Sequence, residues 1–82
     1  MYRYSVLFQE ITDSDFSEGW YYAHIPALGL TTQGKGIEGA QKAAEDILRL
    51  WFAEKQAHHE AIPQESNVFF SHIEIPDAVQ VL

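Results

Sequence analysis

Apolar and polar residues alternate along the first stretch of the chain. Between residues 2 and 11, Tyr2, Tyr4, Val6 and Phe8 fall on one side, and Arg3, Ser5, Leu7 and Gln9 on the other. Aromatic and β-branched residues in period two predict a half-buried strand. Residues 12–19 then gather Thr, Asp, Ser and Gly, whose short polar side chains compete for backbone hydrogen bonds and favour turns. Trp20–Ile25 predicts a second strand, stopped by Pro26, which has no amide hydrogen for a ladder. After a turn over residues 27–29, residues 30–33 predict a short third strand, completing an antiparallel meander.

Gly34-Lys35-Gly36 breaks this pattern, and the period changes to 3.6. Ile37, Ala40, Ala44, Ile47, Leu48, Trp51 and Phe52 form an apolar stripe at helical spacing. Glu38, Lys42, Glu45, Arg49 and Lys55 take the opposite side, with Glu38–Lys42 and Glu45–Arg49 in the favourable i, i+4 order. The expected helix runs from about residue 37 to the His58-His59 pair, roughly 33 Å long. Gly39 inside it costs up to about 1 kcal/mol relative to alanine. Residues 61–66 are a connector. Residues 67–75, with Phe69, Phe70, Ile73 and Ile75, return to strand character until Pro76, and residues 79–82 are a further short strand or a tail. The expected fold class is α+β, in the order β-β-β-α-β. A four-stranded, mainly antiparallel sheet carries one long helix on one face, in a single domain over residues 1–82.

One helix covers one side of such a sheet. The smaller Ala23/Ile25 side of the second strand is expected beneath the helix, with Val6 and Phe8. Trp20, Tyr22 and His24 are then left on the open side beside Leu7. A one-residue slip would exchange the two sides. An exposed aromatic patch of this kind marks an interaction surface.

Composition narrows the function. Hydrophobic residues make up 46% of the 82 residues, the content of a folded chain. A compact monomer of this size exposes roughly 5,000 Å², which leaves a partner or self-assembly as a source of extra stability. Without an apolar run near membrane-spanning length or a leader-like N-terminus, no membrane association is expected and a cytoplasmic location is the default. The absence of cysteine excludes disulfides, thiolate catalysis and Cys-type zinc sites. Net charge is −7, unevenly placed. Arg3 stands alone against Glu10, Asp13, Asp15 and Glu18, and residues 60–82 carry Glu60, Glu65, Glu74 and Asp77 with no base. There is no Lys/Arg cluster to neutralise phosphates, so nucleic acid is not the expected ligand. A basic protein partner is the electrostatic complement.

Trp20-Tyr21-Tyr22-Ala23-His24-Ile25-Pro26, Gly29, Thr32-Gln33-Gly34, Ile37-Glu38-Gly39-Ala40, Ala44, Ile47 and Leu50-Trp51 follow one another at near-family spacing. This ordered set resembles the HicB antitoxin family, with Ile62-Pro63 where that family often has a Pro-containing connector. The likeness extends over about residues 2–75. It implies a partial ribonuclease H-like domain without catalysis or cofactor, which binds a small basic ribonuclease toxin, HicA, and blocks its catalytic surface. Many members also carry a C-terminal DNA-binding segment. Residues 1–82 hold no such segment, so direct DNA binding is not expected. The turn Pro26-Ala27-Leu28-Gly29-Leu30 is one residue shorter than the common family form, and Gly39 replaces a glutamate.

The residues expected to bind the partner are Asp13, Asp15 and Glu18, for charge, and Trp20, Tyr22 and His24, for the apolar anchor. Self-association into a dimer or tetramer is expected alongside. Asp13, Asp15 and Glu18 could instead hold a divalent cation, but they lack the full calcium-loop pattern. A metal-dependent nuclease remnant would need converging carboxylates, with Glu10 and Glu74 the candidates by type. His58 and His59 point about 100° apart on a helix, which suits a helix C-terminus better than chelation. His24 and His72 could be neighbours on adjacent strands. Gly34-x-Gly36 at a helix start could meet an anion, though a strand-to-helix turn accounts for it.

Overall fold

The computed structural model describes residues 1–13 and 18–78. Three antiparallel strands, β1 (Leu7–Glu10), β2 (Trp20–Ile25) and β3 (Leu30–Lys35), form a sheet in that order. One helix, α1 (Gly36–Ala57), packs across it. The α+β class and the helix on one face agree with expectation.

The meander closes through tight backbone geometry. Pro26–Leu28 makes a single 3-10 turn. Gly29 ends it with φ 63° and donates its amide to the Pro26 carbonyl at 3.2 Å. That left-handed conformation is one glycine adopts without a Cβ clash. Gly36, with φ 70°, turns the chain from β3 into the helix, and its amide donates to the Gly19 carbonyl at 2.7 Å. The amide that could have met an anion at this helix start is thus already satisfied.

Register sorts the sheet into two faces. Phe8, Ala23 and Thr32 lie opposite one another, as do Leu7, His24 and Thr31. Ala23 and Ile25 are fully buried against Ala40 and Ala44 of the helix. Tyr4, Val6, Phe8, Tyr21, Leu28, Leu30, Ile47 and Leu48 surround this core. The smaller side of β2 therefore lies beneath the helix, as the side-chain sizes predicted. Alanine dominates the buried set, so the helix sits close and the core is small.

Several expectations need correction. The first strand covers only Leu7–Glu10. Tyr2 and Tyr4 instead set their rings at a tilt against Phe52 of the helix, at 5.4 and 5.8 Å between centroids. β3 continues two residues further than expected, through Gly34 and Lys35. Ile37, assigned to the buried stripe, is 47% exposed because it sits at the edge of the first helical turn. Lys42 pairs with Asp46 at 3.2 Å rather than with Glu38, both carboxylates being one helical turn away.

The largest correction concerns the fourth strand. Residues 67–75 belong to no sheet, leaving three strands among the described residues instead of four. Their side chains face solvent, and they have no ladder partner. Residues 79–82, read as a strand or a tail, lie outside the described residues.

The helix ends where its backbone geometry changes hand. His59 takes φ 55°, and its amide bonds the Gln56 carbonyl while that of Glu60 bonds Lys55. This is the Schellman arrangement, which satisfies the last carbonyls. The Glu60 carboxylate reaches the Lys55 ammonium at 2.7 Å. His58 and His59 thus terminate the helix and are both exposed.

Candidate interaction surface

The face of the sheet that α1 leaves uncovered carries Leu7 and Gln9 from β1, Trp20, Tyr22 and His24 from β2, and Thr31, Gln33 and Lys35 from β3. Alternation along each strand puts them there, because their sequence neighbours face the helix. Trp20, Tyr22 and His24 are half-buried. Lys35 is the register partner of Trp20 and Gln33 that of Tyr22.

His24 ties the three strands together on this face. Its Nδ1 lies 3.0 Å from Thr31 Oγ1 and its Nε2 lies 3.1 Å from Gln9 Oε1. With the glutamine oxygen accepting, Nε2–H donates, and Nδ1 shares the second bond with the threonine hydroxyl. The two contacts fix the ring plane. The Tyr22 ring lies 5.8 Å away on the same strand. Gln9 and Thr31 were not among the expected site residues. The pairing of His24 with Thr31 could have been found from a hairpin register centred on the Pro26–Gly29 turn. His72, the expected neighbour of His24, instead packs edge-on against Phe70 at 4.8 Å.

The acidic loop joins the sheet at the Trp20 end of β2. Asp13 and Glu18 are exposed on either side of it, and Asp15 lies outside the described residues. Ile11, just before this loop, donates its amide to the Trp20 carbonyl at 2.9 Å and is buried. The ladder therefore extends one bond beyond β1 and holds the loop's base against the aromatic row. Among the described residues, no three His, Asp or Glu side chains come close enough to hold a metal ion.

A second polar cluster lies at the opposite end of β1. Glu65 accepts the Ser5 amide at 2.5 Å and the Ser5 hydroxyl at 2.7 Å, and the Tyr4 hydroxyl donates to the Pro63 carbonyl. These bonds hold the Glu65 carboxyl below its ordinary pKa, while burial and the nearby Tyr2 and Glu65 push that of Tyr4 up. Beyond this clamp, Met1, Tyr2, Arg3 and Ser5 line one wall of a groove and residues 64–68 the other.

On the helix, Trp51 and Phe52 are half-buried and 5.5 Å apart, with the Lys55 ammonium 5.4 Å from the Trp51 ring. Phe52 meets the rings of Tyr2 and Tyr4, and neither Trp51 nor Phe52 belongs to the buried core, where the sequence placed them. No helix among the described residues is long and apolar enough to cross a membrane. No family model, no curated protein and no solved structure matches this chain.

Proposed function

We propose that this chain is a non-catalytic protein-binding module that recognises a basic partner through the open face of its sheet. The observation that supports this is the row Trp20, Tyr22 and His24, half-buried and uncovered, ending at the loop that bears Asp13 and Glu18. Aromatic side chains give contact area at low entropic cost, and fixed rings lose little on binding. The adjoining carboxylates attract a cationic surface and orient it before contact. The His24 hydrogen bonds to Gln9 and Thr31 make the face rigid beforehand. In the finer reading, which rests on the likeness to HicB antitoxins, the partner is a small basic HicA-type ribonuclease toxin whose catalytic surface this face covers.

The test is to co-express the chain with the product of the adjoining reading frame and purify either one. The expected result is a basic protein that cleaves RNA alone and is silent in the complex. Asp13→Asn combined with Glu18→Gln is expected to slow association several-fold at low salt and to flatten its salt dependence. An unchanged association rate at low salt overturns the electrostatic role. A neighbour that neither binds nor cleaves RNA overturns the toxin reading.

A further inference from the structure

Residues 67–75 have the composition of a strand and no sheet to belong to. Phe69, Ser71, Ile73 and Ile75 alternate with Phe70, His72 and Glu74. Phe69 is 88% exposed, Phe70 71%, Ile73 86% and Ile75 71%. Aromatic and β-branched residues in period two are costly to leave in water and leave a row of unpaired amides and carbonyls.

The whole chain shows the same imbalance. It exposes 7077 Å², about 2,000 Å² more than a compact monomer of its mass. Its radius of gyration is 16.5 Å, against about 12 Å for a compact chain of this length. The buried core consists of Ile11, Ala23, Ile25, Ala40 and Ala44, little apolar volume with which to stabilise a lone monomer.

A receiving edge is present. Among the described residues, β1 is hydrogen-bonded to β2 on one side and to no strand on the other. The arm is rooted beside this edge by the Ser5–Glu65 and Tyr4–Pro63 bonds. From that root it does not run along its own β1. Residues 64–68 share their groove with Met1, Tyr2, Arg3 and Ser5, and no residue of β1 lines it. The arm thus leaves the clamp beside residues 1–5 and pairs with no strand of its own sheet.

We propose that two copies of this chain exchange these arms, residues 67–75 of each adding as a fourth strand to β1 of the other. A twofold axis near the two Ser5–Glu65 clamps makes the exchange reciprocal, with the same contacts on both sides. Nine residues span about 30 Å as a strand, ample for β1 and the extended residues before it. Pairing satisfies one side of the arm's backbone and the open β1 edge together. If each copy covers its excess surface on the other, the interface falls in the roughly 2,000–5,000 Å² class of obligate dimers. The exchange concerns the isolated chain and stands apart from recognition of a basic protein.

The experiment measures the solution mass of the full chain by light scattering, together with amide exchange over residues 67–75. The expected mass is twice the 9.4 kDa of one chain. The arm amides should be protected and should lose that protection on dilution, in step with dissociation. His72→Pro with Ile73→Pro removes an amide of each orientation and is expected to give a single-chain mass with the helix signal intact. If the prolines unfold the core, Phe69→Ser with Ile73→Ser is read the same way. A single-chain mass for the parent protein overturns the proposal, including the case where the arm is protected at every dilution by folding onto its own sheet. So does a dimer that survives the prolines and serines, which would assign pairing to the open face.

Discussion

Gly34 of β3 and Gly39 of α1 meet backbone to backbone, and the two glycines are not equivalent. A Cβ on Gly34 would fall under 3.0 Å from the Gly39 carbonyl group and the Ala40 amide, whereas a Cβ on Gly39 would sit 3.5 Å from the Gly34 carbonyl carbon. The strand residue sets the approach distance, and the helix residue has room. Gly34→Ala is therefore expected to destabilise the fold by about 3 kcal/mol or more, since neither backbone can yield without moving the helix. Gly39→Ala is expected to stabilise it by up to about 1 kcal/mol through helix propensity. Urea midpoints at one protein concentration check both, and equal effects of the two substitutions would contradict the asymmetry.

The bonds from His24 to Gln9 and Thr31 join all three strands on the open face. Gln9→Ala and His24→Ala are expected to be coupled by about 0.5–1 kcal/mol in a double-mutant cycle, the size of one partly exposed hydrogen bond. Strict additivity would show that the imidazole does not use Gln9 in solution.

His59 holds a left-handed conformation that costs a residue with a Cβ about 1 kcal/mol. His59→Gly keeps the same backbone bonds to Gln56 and Lys55 and is expected to raise stability by roughly that amount. Thermal melting decides it. A lowered midpoint would mean that the imidazole itself supports the helix end.

Glu65 is held ionised by Ser5, so its folded pKa lies below the unfolded one. Such a group stabilises the folded state above the ordinary carboxylate range and ceases to do so as pH falls through its lowered folded value. The Ser5 amide is thus expected to exchange faster, beyond the intrinsic pH effect, once the carboxyl protonates. Glu65→Ala should show the faster exchange already at neutral pH. An amide whose corrected exchange rate is flat across this range would remove the clamp from solution.

Much of the fold could be read before any coordinate was known, for local reasons. Trp20–Ile25 is bounded by glycine and proline, and its two sides differ so much in size that the buried one follows from packing against a helix. The helix announced itself by a seven-residue apolar stripe. Other features depended on distant residues. Tyr2 and Tyr4 alternate as a strand does, yet their partner is Phe52, because alternation reports a face and not what covers it. Gly34 read as a breaker and is instead the point of closest approach. Phe69, Phe70, Ile73 and Ile75 have the composition of a strand, but composition does not supply an edge to pair with, and residues 67–75 join no sheet. Of the expected site, Trp20, Tyr22 and His24 fall on one open face. Gln9 and Thr31 were missed because their roles exist only once the register is set.

The clamp on Ser5 also orders events in time. Its two members are 60 residues apart in the chain, whereas β2, β3 and α1 follow one another directly. Closing so long a loop is entropically slow, and local contacts form first. On the ribosome, the hairpin and helix can assemble while the first residues still lack their carboxylate. The segment around Ser5 is thus among the last parts of this fold to be built.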